Sequence, residues 1–173
     1  MVTHEIVKYR IPCFWNNEFK TLSYSHEEFN DPCSVAQWQS LGFINKFTGD
    51  MCDMKQIQPS WNHQFVEWFR NKGWRDIGTS YYRMMPGTVL PTHSDLYKKY
   101  IEIFNLRGKE SKIKRAIVFL ENWKPGHYAE YCDRPFTEWQ AGDTVEWWYD
   151  TPHMAANVGS QPRYTLQVTG HLT

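Results

Sequence analysis

The sequence predicts an α+β domain whose site is carried by a small barrel or double-sheet jelly roll. Three observations lead there. Helical spacing is confined to roughly residues 1–75, short strands split by Gly, Pro, Asn and Asp follow from Trp74 onward, and 29 of the 173 residues are aromatic (9 Trp, 10 Tyr, 10 Phe). Aromatic and β-branched side chains fit pleated, half-buried surfaces and fill cores. Short strands after helices suit α+β better than alternating β-α units. The length has room for one domain, 1–173, with 1–75 as helical support and 76–173 as the β core.

The elements follow in order. Residues 26–40 carry a loose helix that ends before Gly42. Ser60 after Pro59 is a candidate N-cap for a second helix, with Trp61, Phe65, Trp68 and Phe69 as its apolar stripe and Gly73 as its left-handed stop. Strands are predicted at Thr79–Met84, Thr88–His93, Lys114–Glu121, Asp143–Trp148, Met154–Val158 and Tyr164–Thr169. Between the second and third of these, residues 96–113 read as a long loop. Its Lys98, Lys99, Arg107, Lys109 and Lys112 suggest a solvated face, or a lid over a neighbouring site.

Charge and cysteines narrow the function classes. Net charge is zero, so the basic stripe of a nucleic-acid binder is missing. Cys13, Cys33, Cys52 and Cys132 contain no C-x-x-C pair and read as free thiols of a reducing, cytoplasmic setting. The longest apolar runs are too short to cross a bilayer. A soluble protein with a protein, peptide or small-molecule substrate is the expectation.

The chemistry concentrates in three places. His93-Ser-Asp95 sets two ligands two residues apart, on one face if the backbone is extended. With 7 His and 8 Asp in the chain, about 0.3 such matches arise by chance, so this pair alone says little. His153 follows a Gly-Asp turn and an aromatic strand, and would complete a 2-His-1-carboxylate triad with open positions on the ion. Ten residues later Arg163 opens an apolar strand, with Thr165 on the same face. A buried guanidinium suits the far carboxylate of a dicarboxylate ligand better than an ammonium does. In Trp147-Trp148 and Tyr81-Tyr82 the members of each pair point opposite ways, so one tryptophan can line the pocket while the other packs outside; that both are core is the slightly favoured reading.

The stretch Met85-Pro-Gly-Thr-Val-Leu-Pro-Thr-His93-Ser-Asp95 resembles the metal-binding segment of the aspartyl/asparaginyl β-hydroxylase-like branch of the Fe(II)/2-oxoglutarate-dependent oxygenases. Arg115-Ala-Ile-Val-Phe-Leu resembles that family's central strand, Trp139-Gln-Ala-Gly142 its W-x-x-G turn, and His153-Met-Ala-Ala-Asn157 its H-x-x-x-N. The likeness covers about residues 79–170. It implies a double-stranded β-helix (jelly-roll, cupin-like) core with N-terminal helices packed on one face. It implies Fe(II) on His93, Asp95 and His153, with 2-oxoglutarate and O2 as cosubstrates and succinate and CO2 as coproducts. Arg163 would bind the distal carboxylate, aided by Tyr82 and, more weakly, Arg115. The animal aspartyl/asparaginyl hydroxylases carry Gly where this chain has Asp95, so their substrate does not transfer. The alternatives are a cupin-like metal enzyme without 2-oxoglutarate, which would need His127 although it is expected on an exposed Pro-Gly turn, and a non-catalytic binding module.

Overall fold

Alternation along single strands divides the domain into an inner and an outer face. In the last strand Arg163, Thr165 and Gln167 face a cavity, while Leu166 and Val168 join the opposite, apolar side. The computed structural model describes residues 5–43 and 47–173. In chain order these form β1 (Val7–Arg10), a 3-10 turn (Asn17–Thr21), β2 (Ser25–His26), α1 (Pro32–Ser40), β3 (Asp50–Cys52), α2 (Asn62–Asn71), β4 (Arg75–Met84) and β5 (Thr88–His93). There follow α3 (Lys98–Ile103), a second 3-10 turn (Glu110–Lys112), β6 (Ile113–Phe119), β7 (His127–Tyr131), β8 (Arg134–Phe136), β9 (Asp143–Trp148), β10 (His153–Asn157) and β11 (Arg163–His171).

The strands form two antiparallel sheets, ordered β1-β9-β6-β11-β4-β3-β2 and β5-β10-β7-β8. From β4 to β11 the chain passes back and forth between them: β4, β6, β9 and β11 in the larger, β5, β7, β8 and β10 in the smaller. That alternation is a double-stranded β-helix, the predicted core. Phe119, Ala129, Tyr131, Trp139, Val145 and Trp147 fill the space between the sheets. On the outer face of the larger sheet, Phe65 and Phe69 of α2 pack with Tyr81, Val118, Leu166 and Val168. This is the expected helical cover.

Six predicted strands stand within a few residues of their expected limits. Five more, β1, β2, β3, β7 and β8, were not legible: each is five residues or fewer, and each is held by its neighbour's ladder rather than by its own periodicity. The N-terminal third is accordingly not only helical, since β1 extends one edge of the large sheet and β2–β3 the other. The first helix is shorter than expected and begins at Pro32. Ser60 does not cap α2: Trp61 precedes it without a side-chain bond, and the Ser60 amide instead donates to the Glu18 carboxylate at 2.7 Å. Gly73 does adopt φ +87° after α2. Residues 96–113 are folded down, not an open loop, with α3 anchored by a small cluster of Tyr97, Leu106 and Ile113. Gly142, in the W-x-x-G turn, sits at φ +90°, and a Cβ there would lie 2.2 Å from the Ile11 carbonyl. Only glycine lets β1 close against this turn.

One buried charge network ties the outer layer together. Glu146 is 2% exposed and accepts from Tyr9 Oη (2.9 Å), Lys72 Nζ (2.8 Å) and Lys114 Nζ. Burial pushes its carboxyl upward, yet the two ammonium groups outweigh that and hold it below the ordinary value. A lowered folded value means stability that is present above the unfolded carboxylate pKa and is lost as pH falls through the folded one. Glu146→Ala, which strands two lysines, should cost about 3–5 kcal/mol at neutral pH. In urea titrations the substituted protein should also lose less stability than the parent between pH 7 and pH 3.

Candidate active site

Strand pairing brings the two imidazoles together. His93 ends β5, His153 begins β10, and the two residues are direct partners in that antiparallel pair. Their ring centroids stand 4.3 Å apart. Asp95 follows two residues after His93, just beyond the strand end, with its Oδ1 3.8 Å from His93 Nε2 and its Oδ2 3.7 Å from His153 Nε2. One ligand atom from each of the three residues lies within 4.8 Å of the others. Ligand bonds of about 2.1 Å to a divalent ion allow ligand atoms up to ~4.2 Å apart, so the Nε2–carboxylate spacings fit one shared ion.

The imidazoles are preset for that task. His93 Nδ1 is 2.8 Å from the Pro91 carbonyl and His153 Nδ1 is 2.9 Å from the Thr151 carbonyl. A carbonyl only accepts, so both Nδ1 atoms carry hydrogen and both Nε2 lone pairs point to the cluster. Burial pushes His93 down to about 4, and pushes His153 down as well. Asp95 experiences the opposite pull from burial, but Arg115 and the two histidines outweigh it and hold the carboxyl at about 2. At neutral pH the set is therefore two neutral imidazoles and one carboxylate. Asp95 Oδ2 is buried without a hydrogen-bond partner, and an ion would satisfy it.

The three residues open onto a cavity between the sheets that reaches Arg163. Arg163 is 8% exposed; its Nη1 donates to the Tyr128 carbonyl at 2.7 Å, while its Nε is buried without a partner. Among the described residues no carboxylate pairs with it, and burial lowers its pKa to about 10. Thr165 stands beside it on β11, opposite Tyr82 of β4, and both line the cavity. Burial pushes the Tyr82 phenol up to about 12, so it remains a neutral hydroxyl at neutral pH.

Three expectations are corrected. Arg115 does not line the cavity. It lies behind Asp95, its Nη2 3.3 Å from Oδ2 and its guanidinium 4.8 Å over the Tyr97 ring. Trp147 is not merely core: it lines the cavity and packs 4.9 Å from His153, whereas Trp148 faces out under Lys114. His127 is 3% exposed inside β7, with Nε2 2.9 Å from the Gln161 carbonyl, because the Lys124-Pro-Gly turn ends before it. Two residues were missed. Tyr131 lines the cavity from β7, and Phe29 meets His93 edge-on at 5.0 Å. Tyr131 lies on a segment without a clear apolar pattern, and Phe29 lies before α1 in a stretch expected to be helical.

Comparisons with known proteins bear on the fold. No family model matches the chain, and no curated protein matches it in sequence. Among solved structures it is similar to a Pseudomonas putida prolyl-4-hydroxylase, at 14% identity and a TM-score of 0.56, over 91% of this chain and 96% of that one. It is also similar to the viral collagen prolyl hydroxylase of Paramecium bursaria Chlorella virus-1 in its 2OG complex, at 12% identity and a TM-score of 0.53, over 96% of each chain. At these identities the likeness establishes a shared fold.

The lowered histidines give a measurable consequence. Two ordinary imidazoles with pKa ≈ 6.5 would cost a site roughly tenfold in metal affinity between pH 7.5 and 6.0, through proton competition. Here protons compete only at lower pH, so Co(II) affinity measured by calorimetry should fall by less than about threefold over that range. A tenfold fall would mean that the imidazoles titrate normally.

Proposed function

We propose that the protein is an Fe(II)- and 2-oxoglutarate-dependent dioxygenase that hydroxylates a C–H bond of an amino-acid side chain in a protein or peptide, or of a small metabolite. The observation that carries this reading is Arg163: a buried guanidinium, without a carboxylate partner among the described residues, on the same cavity as a His-Asp-His set. Burying a charge without compensation is costly. A ligand with one carboxylate for Arg163 and a chelating end for the ion removes that cost, and 2-oxoglutarate has this form.

In this reading His93, Asp95 and His153 hold the iron, and the Nδ1 bonds to Pro91 and Thr151 keep both rings oriented. Arg163, with Thr165 and Tyr82 beside it, takes the distal carboxylate. Bound iron with 2-oxoglutarate supplies the activation of O2 by oxidative decarboxylation, giving succinate and CO2. The chain's own share is binding, orientation and exclusion of water. Phe119, Tyr131 and Trp147 wall the cavity with apolar surface, which strengthens the Arg163–carboxylate pair.

Several features support placing it near the aspartyl/asparaginyl β-hydroxylase-like branch: the Pro-Gly-Thr segment before the ligands, the Gly142 turn and the buried Asn157. Asn157 donates to the Met84 and Gln161 carbonyls. The carboxylate at 95 separates it from the animal enzymes. The cupin-like alternative loses its extra histidine, since His127 points to Gln161. The four cysteines are free, as a reducing compartment would require. No helix among the described residues is long and apolar enough to cross a membrane.

The test is succinate formation from 2-oxoglutarate by iron-loaded protein prepared without oxygen. Asp95→Ala should abolish it. Arg163→Ala removes a charged hydrogen-bonding partner worth about 1.5–3 kcal/mol, so the 2-oxoglutarate KM should rise roughly 10- to 150-fold. No succinate from the parent protein, with or without candidate substrates, would sink the oxygenase reading. An unchanged KM in Arg163→Ala would sink the anchor.

A further inference from the structure

Arg115 is a second buried cation, and nothing so far gives it a task. Its side chain is 11% exposed, it lies outside the cavity, and its Nη2 approaches Asp95 Oδ2 at 3.3 Å, without the alignment of a hydrogen bond. It is held in turn by Tyr97. The ring lies 4.8 Å under the guanidinium, and Nε donates to the Tyr97 hydroxyl at 3.4 Å. Tyr97 sits at φ +50°, in the left-handed region, two residues after Asp95 and directly before α3. A tyrosine there is held against local preference by its surroundings, and here those are the cluster with Leu106 and Ile113.

We infer that Arg115 is a positioning residue for the metal centre: it fixes the Asp95 carboxylate from behind, so that the carboxylate meets both imidazoles in one orientation. Asp95 lies past the end of β5, where no ladder bonds hold the backbone. Two contacts from other elements then replace the ladder. Ser94 Oγ donates to the Asp150 carbonyl at 3.3 Å, and Arg115 reaches over from β6. The folded segment 96–113 thus acts as a support for the site, since α3 and its cluster place Tyr97, whose hydroxyl meets both Arg115 and the Asp95 carboxyl. This role rests on the metal-centre reading above and differs from that of Arg163, which acts on the cosubstrate.

Two roles for Arg115 predict opposite signs. If it served only to neutralise Asp95, it would compete with a dication, and removing it would tighten metal binding. If it orients the carboxylate, removing it should weaken binding 10- to 100-fold, as is typical when a partner of a metal ligand is lost. The experiment titrates chelator-treated protein with Co(II) by calorimetry and records the visible spectrum, which reports coordination geometry. Arg115→Met should bind 10- to 100-fold more weakly with an altered spectrum, and Arg115→Lys, which keeps the charge without the planar fork, should fall between. Tyr97→Phe keeps the ring and removes the acceptor for Nε. That hydroxyl also bonds Asp95 directly, so Arg115→Lys, not Tyr97→Phe, carries the test if Arg115→Met does not fold. Arg163→Ala also removes a cation from the cavity and should not weaken Co(II) binding, so a loss of affinity in Arg115→Met is not explained by lost charge. Equal or tighter Co(II) binding by Arg115→Met, or by Arg115→Lys where it stands in, overturns the role. Failure of the parent to bind one Co(II) per chain removes the metal centre itself, and the role with it.

Discussion

The site depends on one register. His153 faces His93 across the β5–β10 pair, and β10 is in turn fixed by its full pairing with β7, from His153–Tyr131 to Asn157–His127. Side chains alternate with period two, so a slip of one residue would turn an imidazole to the outside. The β10–β5 ladder already shifts once between His153 and Ala155. The irregularity sits beside the histidine it re-aims, as bulges next to sites commonly do.

The same geometry explains why the cavity is closed at one end by a cation. β11 pairs with β4 and β6 along nearly its whole length, which sets Arg163 opposite Met84 and Thr165 opposite both Tyr82 and Phe119. Asn157 locks the turn leading into β11 by bonding Met84 and Gln161. The guanidinium therefore has little room to swing out to solvent. Its desolvation is built into the sheet and is only partly offset by the Tyr128 carbonyl; on the proposed reading an anion would complete the compensation.

What the sequence revealed and what it hid follow from the kind of information each feature needs. Strands with several apolar positions, such as β6, β9 and β11, announce themselves by composition. So does the α2 stripe of Phe65 and Phe69. The clustering of His93, Asp95 and His153 beside Arg163 was legible because their spacing is tied to strand ends. β7 and β8 were not, because His-Tyr-Ala-Glu-Tyr and Arg-Pro-Phe carry no clear pattern, and Tyr131 was lost with them. Arg115 was misplaced for a different reason. Its strand was identified, but whether its long side chain reaches the cavity or the back of Asp95 depends on Tyr97, whose position is set by a helix that polar, Lys-rich sequence did not suggest.

Charge offers a last constraint on how such a site fills. In the vicinity of the cavity the described residues place one buried cation, Arg163, one largely covered cation, Arg115, and one half-buried carboxylate, Asp95, a net charge of +1. On the proposed reading, a dication alone raises this to +3, and a dicarboxylate alone lowers it to −1. Together they leave +1. In a low-dielectric cavity, where unbalanced charge is costly, each ligand reduces the electrostatic cost of the other. Metal and cosubstrate should then stabilise each other beyond the contacts they share, a coupling that by linkage must be equal in both directions. On that reading, selectivity for a dicarboxylate would come from the arrangement of Arg115, Arg163 and Asp95 rather than from the net charge of the chain, which is zero.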